Sequence, residues 1–275
     1  MLLLSNNVWK CDENLPKWAE RGLDCSAAAR VPGLIHAYRE VGADVMALQE
    51  VSRTMEALLL NALRPLGYEL VTGGDTPLFY RADRLKLIES GFLRFPEEVP
   101  GLEGSFNNGE TKSCTWGVFE TRDETKRRFA MMSVHLWWMT EERQPGSDAA
   151  REWQFRLASA RLGEAMARQK CLGVIAGDFN ARIGSPCLKA AADEGWTDVH
   201  DIAVEADESK GTHPCNPDGF APLDLTAHFP LAIDHMLVKG SPPFSRPAIP
   251  FFRRLTDDWF NPLSDHYPLW CEIEL

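Results

Sequence analysis

The feature that most limits the fold is a pair of almost uninterrupted apolar runs, "ADVMALQEV" (43–51) and "CLGVIAGDFN" (171–180), each preceded by a helical pattern. An apolar run without alternation reads as a strand buried on both faces. Before the first run, "VPGLIHAYREVG" places Val31, Leu34, Ile35, Tyr38 and Val41 on one helical face. Before the second stands the long amphipathic segment "DAAREWQFRLASARLGEAMARQ", in which Trp153, Leu157, Ala160 and Glu164 sample different faces and Gly163 is a weak point. Helix followed by buried strand, twice, places the chain in the mixed α/β class.

The rest of the chain adds strands. "LLLSNNVW" reads as the first, and a second helix carries Met55, Leu58, Leu59, Ala62 and Leu63 inward until Pro65 stops it. "YELVT", "PLFYR", "LKLIESGFLRF", "CTWGVFET" and "RFAMMSVHLWW" follow as strands, the last two joined by the charged hairpin-like "RDETKRR". The last third offers a short helix at "SPCLKAAADEG", a loop rich in Pro, Asp and Gly from Glu205 to Pro230, and the strands "AIDHMLV", "AIPFFRRL" and "YPLWCEIEL". There is no internal repeat and no long linker. A length of 275 residues is enough for one large core, so a single domain spanning 1–275 is expected.

The strands end in unusual company. In "VIAGDFNARI" an apolar strand runs into Asp178 and Asn180, and the same happens at Asn7, Glu50, His135, Asp234, His235, Asp265 and His266. Each group alone has an ordinary explanation: Asp and Asn close turns, Glu sits near helix starts, and a His on an apolar strand is often a satisfied core residue. Turn chemistry has no reason to repeat this set at strand ends along the whole chain. Oxygen donors suit Mg²⁺ or Mn²⁺, and imidazoles suit proton transfer or contact with a phosphoryl oxygen.

The ordered set "SNNV", "LQEV", "FYR", "SVHL", "GDFN", "IDHM" and "LSDHYP" resembles the endonuclease/exonuclease/phosphatase superfamily across essentially the whole chain, with a general likeness to bacterial metal-dependent hydrolases. The resemblance implies a deoxyribonuclease I-like fold: a four-layer α/β/β/α sandwich of two packed, mixed, mostly antiparallel sheets flanked by helices. It also implies phosphate-ester hydrolysis with a divalent metal. By the same resemblance Glu50 is the principal metal ligand, with Asn7 and Asp265 beside it. Asp178 orients or deprotonates the attacking water, and Asn180 holds a phosphate oxygen or a second ion. His266 contacts the phosphoryl group with Asp234 setting its charge, and His135 lies towards the leaving group. Three departures stand out. The acid expected to partner the first histidine is represented only by Asp75, displaced by one position. Trp137 and Trp138 replace the Asp and His that often follow the histidine strand. Lys112 and Ser113 stand where an Arg often precedes the "TW" strand, which weakens one phosphate clamp. Arg151 and Gln154 match an Arg and a Gln of the relatives, although a solvated helix face explains them equally well.

Composition then narrows the partners. A net charge of −11 disfavours duplex DNA, which needs many cationic contacts. The start, "MLLLSNNVWK", is too short in apolar residues for a signal core or a membrane span, and the seven cysteines are scattered without a C-x-x-C pair. A cytoplasmic location with reduced thiols is expected, and no protein partner is implied. The first reading is a Mg²⁺- or Mn²⁺-dependent phosphodiesterase or nuclease-like hydrolase acting on a nucleotide, a short single-stranded nucleic acid or a lipid head group. Asp75, Trp137, Trp138 and Arg151 are its candidate substrate contacts. Adjacent strand residues face opposite ways, so at most one of the two tryptophans points into a cleft. A phosphomonoesterase acting on a sugar or inositol phosphate is the alternative, and a pseudoenzyme that only binds a phosphorylated ligand is the alternative of another class. A serine hydrolase lacks its G-x-S-x-G elbow. Zinc, bound through His135 or His266, is expected to inhibit.

Overall fold

Serine caps start three of the helices. Ser26, Ser52 and Ser185 each accept from a backbone N–H three residues on, opening α2 (Ala27–Val41), α3 (Arg53–Leu63) and α5 (Pro186–Asp193), after a short α1 (Pro16–Ala19). Each such cap contributes about 1 kcal/mol. The helix α4 (Ser147–Gln169) runs through Gly163 unbroken, and α6 (Val199–Ile202) is a single turn. The computed structural model describes residues 1–107, 109, 111–208, 211–213, 231–240 and 247–275. Most of the loop read between Glu205 and Pro230, with Cys215, lies outside these.

Among the described residues the strands build two sheets. The first has the order β10 (Glu205–Ala206), β12 (Phe251–Arg254), β13 (Leu269–Glu272), β1 (Leu2–Asn7), β2 (Val45–Gln49), β4 (Leu78–Arg81), β3 (Tyr68–Val71). The second runs β5 (Leu85–Arg94), β6 (Ser113–Thr121), β7 (Arg128–His135), β8 (Leu172–Asp178), β11 (Asp234–Lys239), β9 (Thr197–Asp198). Pairing is parallel at β1–β2, β7–β8 and β10–β12 and antiparallel elsewhere. Parallel neighbours need a crossover connection, which α2 supplies for β1–β2 and α4 for β7–β8. This crossover is why those two strand pairs end at the same edge.

Alternation along the strands separates three cores. Leu3, Val45 and Ala47 point between the sheets and meet Phe129, Met131, Val174 and Ala176. Their neighbours Leu4, Met46 and Leu48 point outward against Leu34 and Tyr38 of α2 and Leu59 of α3. On the far side, Val134 and Ile175 pack on Phe155 and Leu162 of α4. The layers therefore run helix, sheet, sheet, helix, as the resemblance implied. Ile35, Leu58 and Ala62 sit at the margin of their helix faces, half-buried. "RDETKRR" does join an antiparallel pair, β6 and β7. The six cysteines other than Cys215 are buried free thiols. No helix among the described residues is long and apolar enough to cross a membrane.

Candidate active site

One edge of the two packed sheets collects the polar strand ends. Asn7 closes β1, Glu50 follows β2, and the parallel strands β7 and β8 end in register at His135 and Asp178. Antiparallel β11 begins at Asp234, directly opposite Asp178. The backbone there is forced into turns that side chains rarely adopt. Among the described residues five non-glycines have positive φ, and Trp9 (57°), Glu50 (60°) and Asn180 (48°) all lie just past these strand ends. Such conformations cost free energy and persist where the surroundings over-determine them. Gly177 is equally constrained: a Cβ there would stand 2.0 Å from the Val134 carbonyl oxygen, so only glycine lets β8 lie so close to β7 beside Asp178.

Hydrogen bonds knit these ends together. The Asn7 amide donates to Glu50 Oε1 (3.2 Å) and to Asp178 Oδ2 (3.1 Å), while its oxygen accepts from the Trp9 N–H (2.9 Å). The Lys10 N–H donates to Glu50 Oε2 (2.8 Å), and the Asn180 N–H to Asp178 Oδ1 (2.8 Å). His266 Nδ1 donates to Asp234 Oδ2 (2.8 Å), which also accepts from the Thr212 hydroxyl (2.6 Å). Ser264 donates to the Asn7 carbonyl (2.6 Å) and accepts from the His266 N–H (3.1 Å), tying the two ends of the chain. His266 Nε2 lies 4.0 Å from oxygens of both Asp178 and Asp265. His135 Nε2 lies 3.4 Å from Asp178 Oδ2 and 3.9 Å from Glu50 Oε1, and the Lys112 ammonium donates to that same ring nitrogen.

Burial and charge then set the protonation states. Burial and the neighbouring Asp234 charge push the Asp178 carboxyl up to about 7. Burial opposes charge on His266, but Asp234, Asp265 and Asp178 outweigh it and raise the imidazole to about 10. His135 goes the other way: burial and the Lys112 ammonium drive it well below the usual histidine range. Burial also works against the Glu50 carboxylate, yet Lys112 and the Lys10 N–H hold it low. The edge thus presents an imidazolium, a neutral imidazole, a buried Lys112 amine that burial pushes below its usual range, and crowded carboxylates.

A cleft of about 430 Å³ opens over this set, lined by Glu50, His135, Asp178, Asn180, Asp265 and His266 together with Lys10, Asp75, Lys112, Trp138 and His213. Of the two tryptophans, Trp138 lines the cleft and is 44% exposed, whereas Trp137 is fully buried. The structure places the remaining sequence candidates as follows, with one correction, at Arg151 and Gln154. Asp75, a candidate substrate contact, does line the cleft; its carboxylate binds Lys10 Nζ at 2.7 Å, while the Lys112 ammonium donates to His135. Arg151 does not line this cleft; it is buried, bonds the carbonyls of Trp137 (3.2 Å) and Met139 (2.6 Å), and pairs with Asp148. Gln154 is buried with it, accepting from the Trp137 N–H (2.8 Å), so neither belongs to a solvated face. Lys112, standing where an Arg often does, lines the cleft with its side chain buried.

Sequence reasoning missed Lys10, Thr212, His213 and Ser264. A signal existed for Lys112: it precedes Ser113, which pairs with His135, so laying the β6–β7 hairpin in register would have put the lysine beside the histidine. Thr212 and His213 lie in a Pro/Asp/Gly-rich stretch with no periodicity to read.

The donor chemistry fits a divalent cation. Glu50, His135 and Asp178 offer donor atoms within 4.8 Å of one another, and so do two further groups, Asp178–Asp234–His266 and His213–Asp265–His266. Burial first, and the Asp234 charge after it, raise the Asp178 carboxyl, and a hard cation among these oxygen donors would favour its charged form.

Comparison with known proteins agrees with this architecture. No curated protein matches the sequence. Among solved structures, an endonuclease/exonuclease/phosphatase from Bacteroides vulgatus superposes with a TM-score of 0.77 at 18% identity, covering 100% of this chain and 98% of that one. A mannosyl-6-phosphatase from Bacteroides thetaiotaomicron gives 0.75 at 20% identity, covering 100% of both chains. TDP2 of D. rerio, in complex with a single-strand DNA product, gives 0.72 at 17% identity, covering 100% of this chain and 99% of that one. The model of the Endonuclease/Exonuclease/phosphatase family matches residues 7–266, so the chain belongs to that family.

Proposed function

We propose that the chain is a Mg²⁺- or Mn²⁺-dependent phosphoester hydrolase, acting as one catalytic domain. The observation that carries this reading is the Asn7 amide spanning Glu50 and Asp178, with the His266–Asp234 pair facing Asp178 across the cleft. Glu50 and Asn7 would hold the metal, with Asp265 beside them, and the bound ion would supply charge stabilisation to the phosphate oxygens. Asp178, poised near neutrality by its burial, takes the proton of the attacking water. Asn180 orients a phosphate oxygen. His266, kept charged by Asp234, donates to the phosphoryl group. Lys112, supported by His135, presents a cation to charge developing on the leaving side.

A phosphodiester with a small or single-stranded leaving part is the favoured substrate. Trp138 supports it by offering a half-exposed ring beside Asn180, a surface on which a base or an acyl chain can lie. A phosphomonoester is the second reading, favoured by the convergence of Lys10 and Lys112 on one cleft, because a monoester brings an additional negative charge. Resemblance in fold to both a sugar phosphatase and a DNA-processing protein keeps both classes in view. The test is hydrolysis of nitrophenyl mono- and diesters, nucleotides, oligonucleotides and sphingomyelin with Mg²⁺ and Mn²⁺. Turnover should vanish in excess EDTA and return with either ion. Turnover undiminished in metal-free buffer refutes the metal chemistry, and no turnover on any ester favours the pseudoenzyme.

A further inference from the structure

We propose that His213, Asp265 and His266 form a three-ligand site for zinc and similar transition-metal ions, through which such an ion withdraws His266 from the phosphate. His213 and His266 stack with ring centroids 4.4 Å apart and planes tilted by 40°. Asp265 reaches both: its Oδ2 is 3.8 Å from His213 Nε2 and its Oδ1 is 4.0 Å from His266 Nε2. The three donor atoms lie within 4.8 Å of one another. Ligands around tetrahedral zinc stand about 3.4 Å apart for bonds of about 2.1 Å, so the donors must draw in by about 1 Å. His213 and Asp265 have that freedom, their side chains being 33% and 32% exposed.

The surroundings are built for such a site. His266 Nδ1 is engaged by Asp234, and the Thr212 hydroxyl steadies that carboxylate; an imidazole backed in this way has its other nitrogen aimed outward and made a stronger donor. The position of His213 is fixed by backbone bonds: its N–H donates to the Leu231 carbonyl (3.1 Å), its carbonyl accepts from the Leu231 N–H (2.6 Å), and the Thr212 carbonyl accepts from the Tyr267 N–H (2.9 Å).

The competing groups are less suited. In Glu50–His135–Asp178 the histidine nitrogen that faces the carboxylates is occupied by the Lys112 ammonium. In Asp178–Asp234–His266 the Asp234 oxygen is already committed to His266 Nδ1 and Thr212. Two imidazoles and one carboxylate favour zinc over magnesium, whereas the site around Glu50 and Asn7 is richer in oxygen.

Binding is measured directly on metal-free protein, by Zn²⁺ competition with a chromophoric chelator and by the visible absorption of Co²⁺. Wild-type protein should bind Zn²⁺ and show the intense bands of tetrahedral Co²⁺. His213→Ala should weaken Zn²⁺ on the order of 10–100-fold or more, and His135→Ala should leave it unchanged. Zinc binding that survives His213→Ala, or that is lost with His135→Ala, overturns the assignment. Should His213→Ala fail to fold, ring resonances of the wild-type protein decide: Zn²⁺ must shift those of His213 and His266 and not that of His135. The effect on turnover rests on the proposed hydrolase reading, while the binding measurements use no activity, so the two can fail separately.

Discussion

Trp137 and Trp138 are adjacent in sequence but should separate cleanly in experiment. Trp137 is fully buried, packs among Val99, Phe106 and Ala150, and donates its ring N–H to Ser147 (3.2 Å). Truncating a buried tryptophan to alanine costs about 3–5 kcal/mol, a large part of the stability of a typical domain. Trp138 is 44% exposed, so its truncation removes far less buried surface and should cost about 1.5 kcal/mol or less. If a base stacks on the Trp138 ring, removing the ring loses about 1–3 kcal/mol of binding, which raises KM by about 5–150-fold. The assay pairs urea unfolding followed by far-ultraviolet circular dichroism with steady-state kinetics on a short oligonucleotide and on a small ester lacking a ring. Trp137→Ala should lower the unfolding midpoint with KM nearly unchanged. Trp138→Ala should raise KM for the oligonucleotide and spare the small ester. An unchanged KM in Trp138→Ala, or efficient cleavage of duplex plasmid by either variant, refutes the substrate argument and leaves the metal chemistry untouched.

Other outcomes follow from the same geometry. Glu50→Gln weakens a proposed metal ligand, so raising the Mg²⁺ concentration should restore part of its turnover, whereas Asp178→Asn should stay inactive at any Mg²⁺; equal rescue of both would contradict the division of roles. In metal-free protein the His266 imidazole is raised from 6.5 to about 10, so its contribution to stability is complete below pH 6.5 and is lost as pH rises through about 10. Urea unfolding from pH 6 to pH 10.5 should therefore show Asp234→Asn least stable relative to wild type at the acid end, with the gap narrowing upward; a gap independent of pH would exclude the pair as its source. Gly177→Ala drives a methyl into the Val134 carbonyl, and soluble expression with an unchanged melting temperature would show that the β7–β8 contact yields more readily than its geometry implies.

What could be read beforehand depended on whether a residue's neighbours in sequence were also its neighbours in space. β2 and β8 were legible because a strand buried on both faces writes its environment into every residue. Glu50 and Asp178 were legible because they break such runs. Lys112 was not, because a lysine beside a strand has the same sequence signature whether it faces water or fills a cleft floor. Arg151 and Gln154 failed for a related reason: polar residues on a helix read as solvated, yet here they satisfy backbone groups of the 137–139 turn. His213 depended on pairing across a stretch without any pattern, where its two backbone bonds with Leu231 give it a place.

The position of β1 between β2 and β13 bears on how the molecule is made. The strand is formed from residues 2–7, yet one of its edges finds a partner only in residues 269–272. Arg30 repeats the dependence, since its guanidinium donates both to the Val8 carbonyl and to that of Leu263, 233 residues away. Contacts of such long range must be closed against chain entropy and form late. While the polypeptide emerges from the ribosome, a central apolar strand therefore waits with an open edge, the condition under which strands associate with the wrong partner. Synthesis of residues 265–272 both protects that edge and delivers Asp265 and His266 to the cleft. A nascent molecule thus has an open sheet edge and an incomplete cleft over the same interval, and both end with the arrival of one short strand, β13.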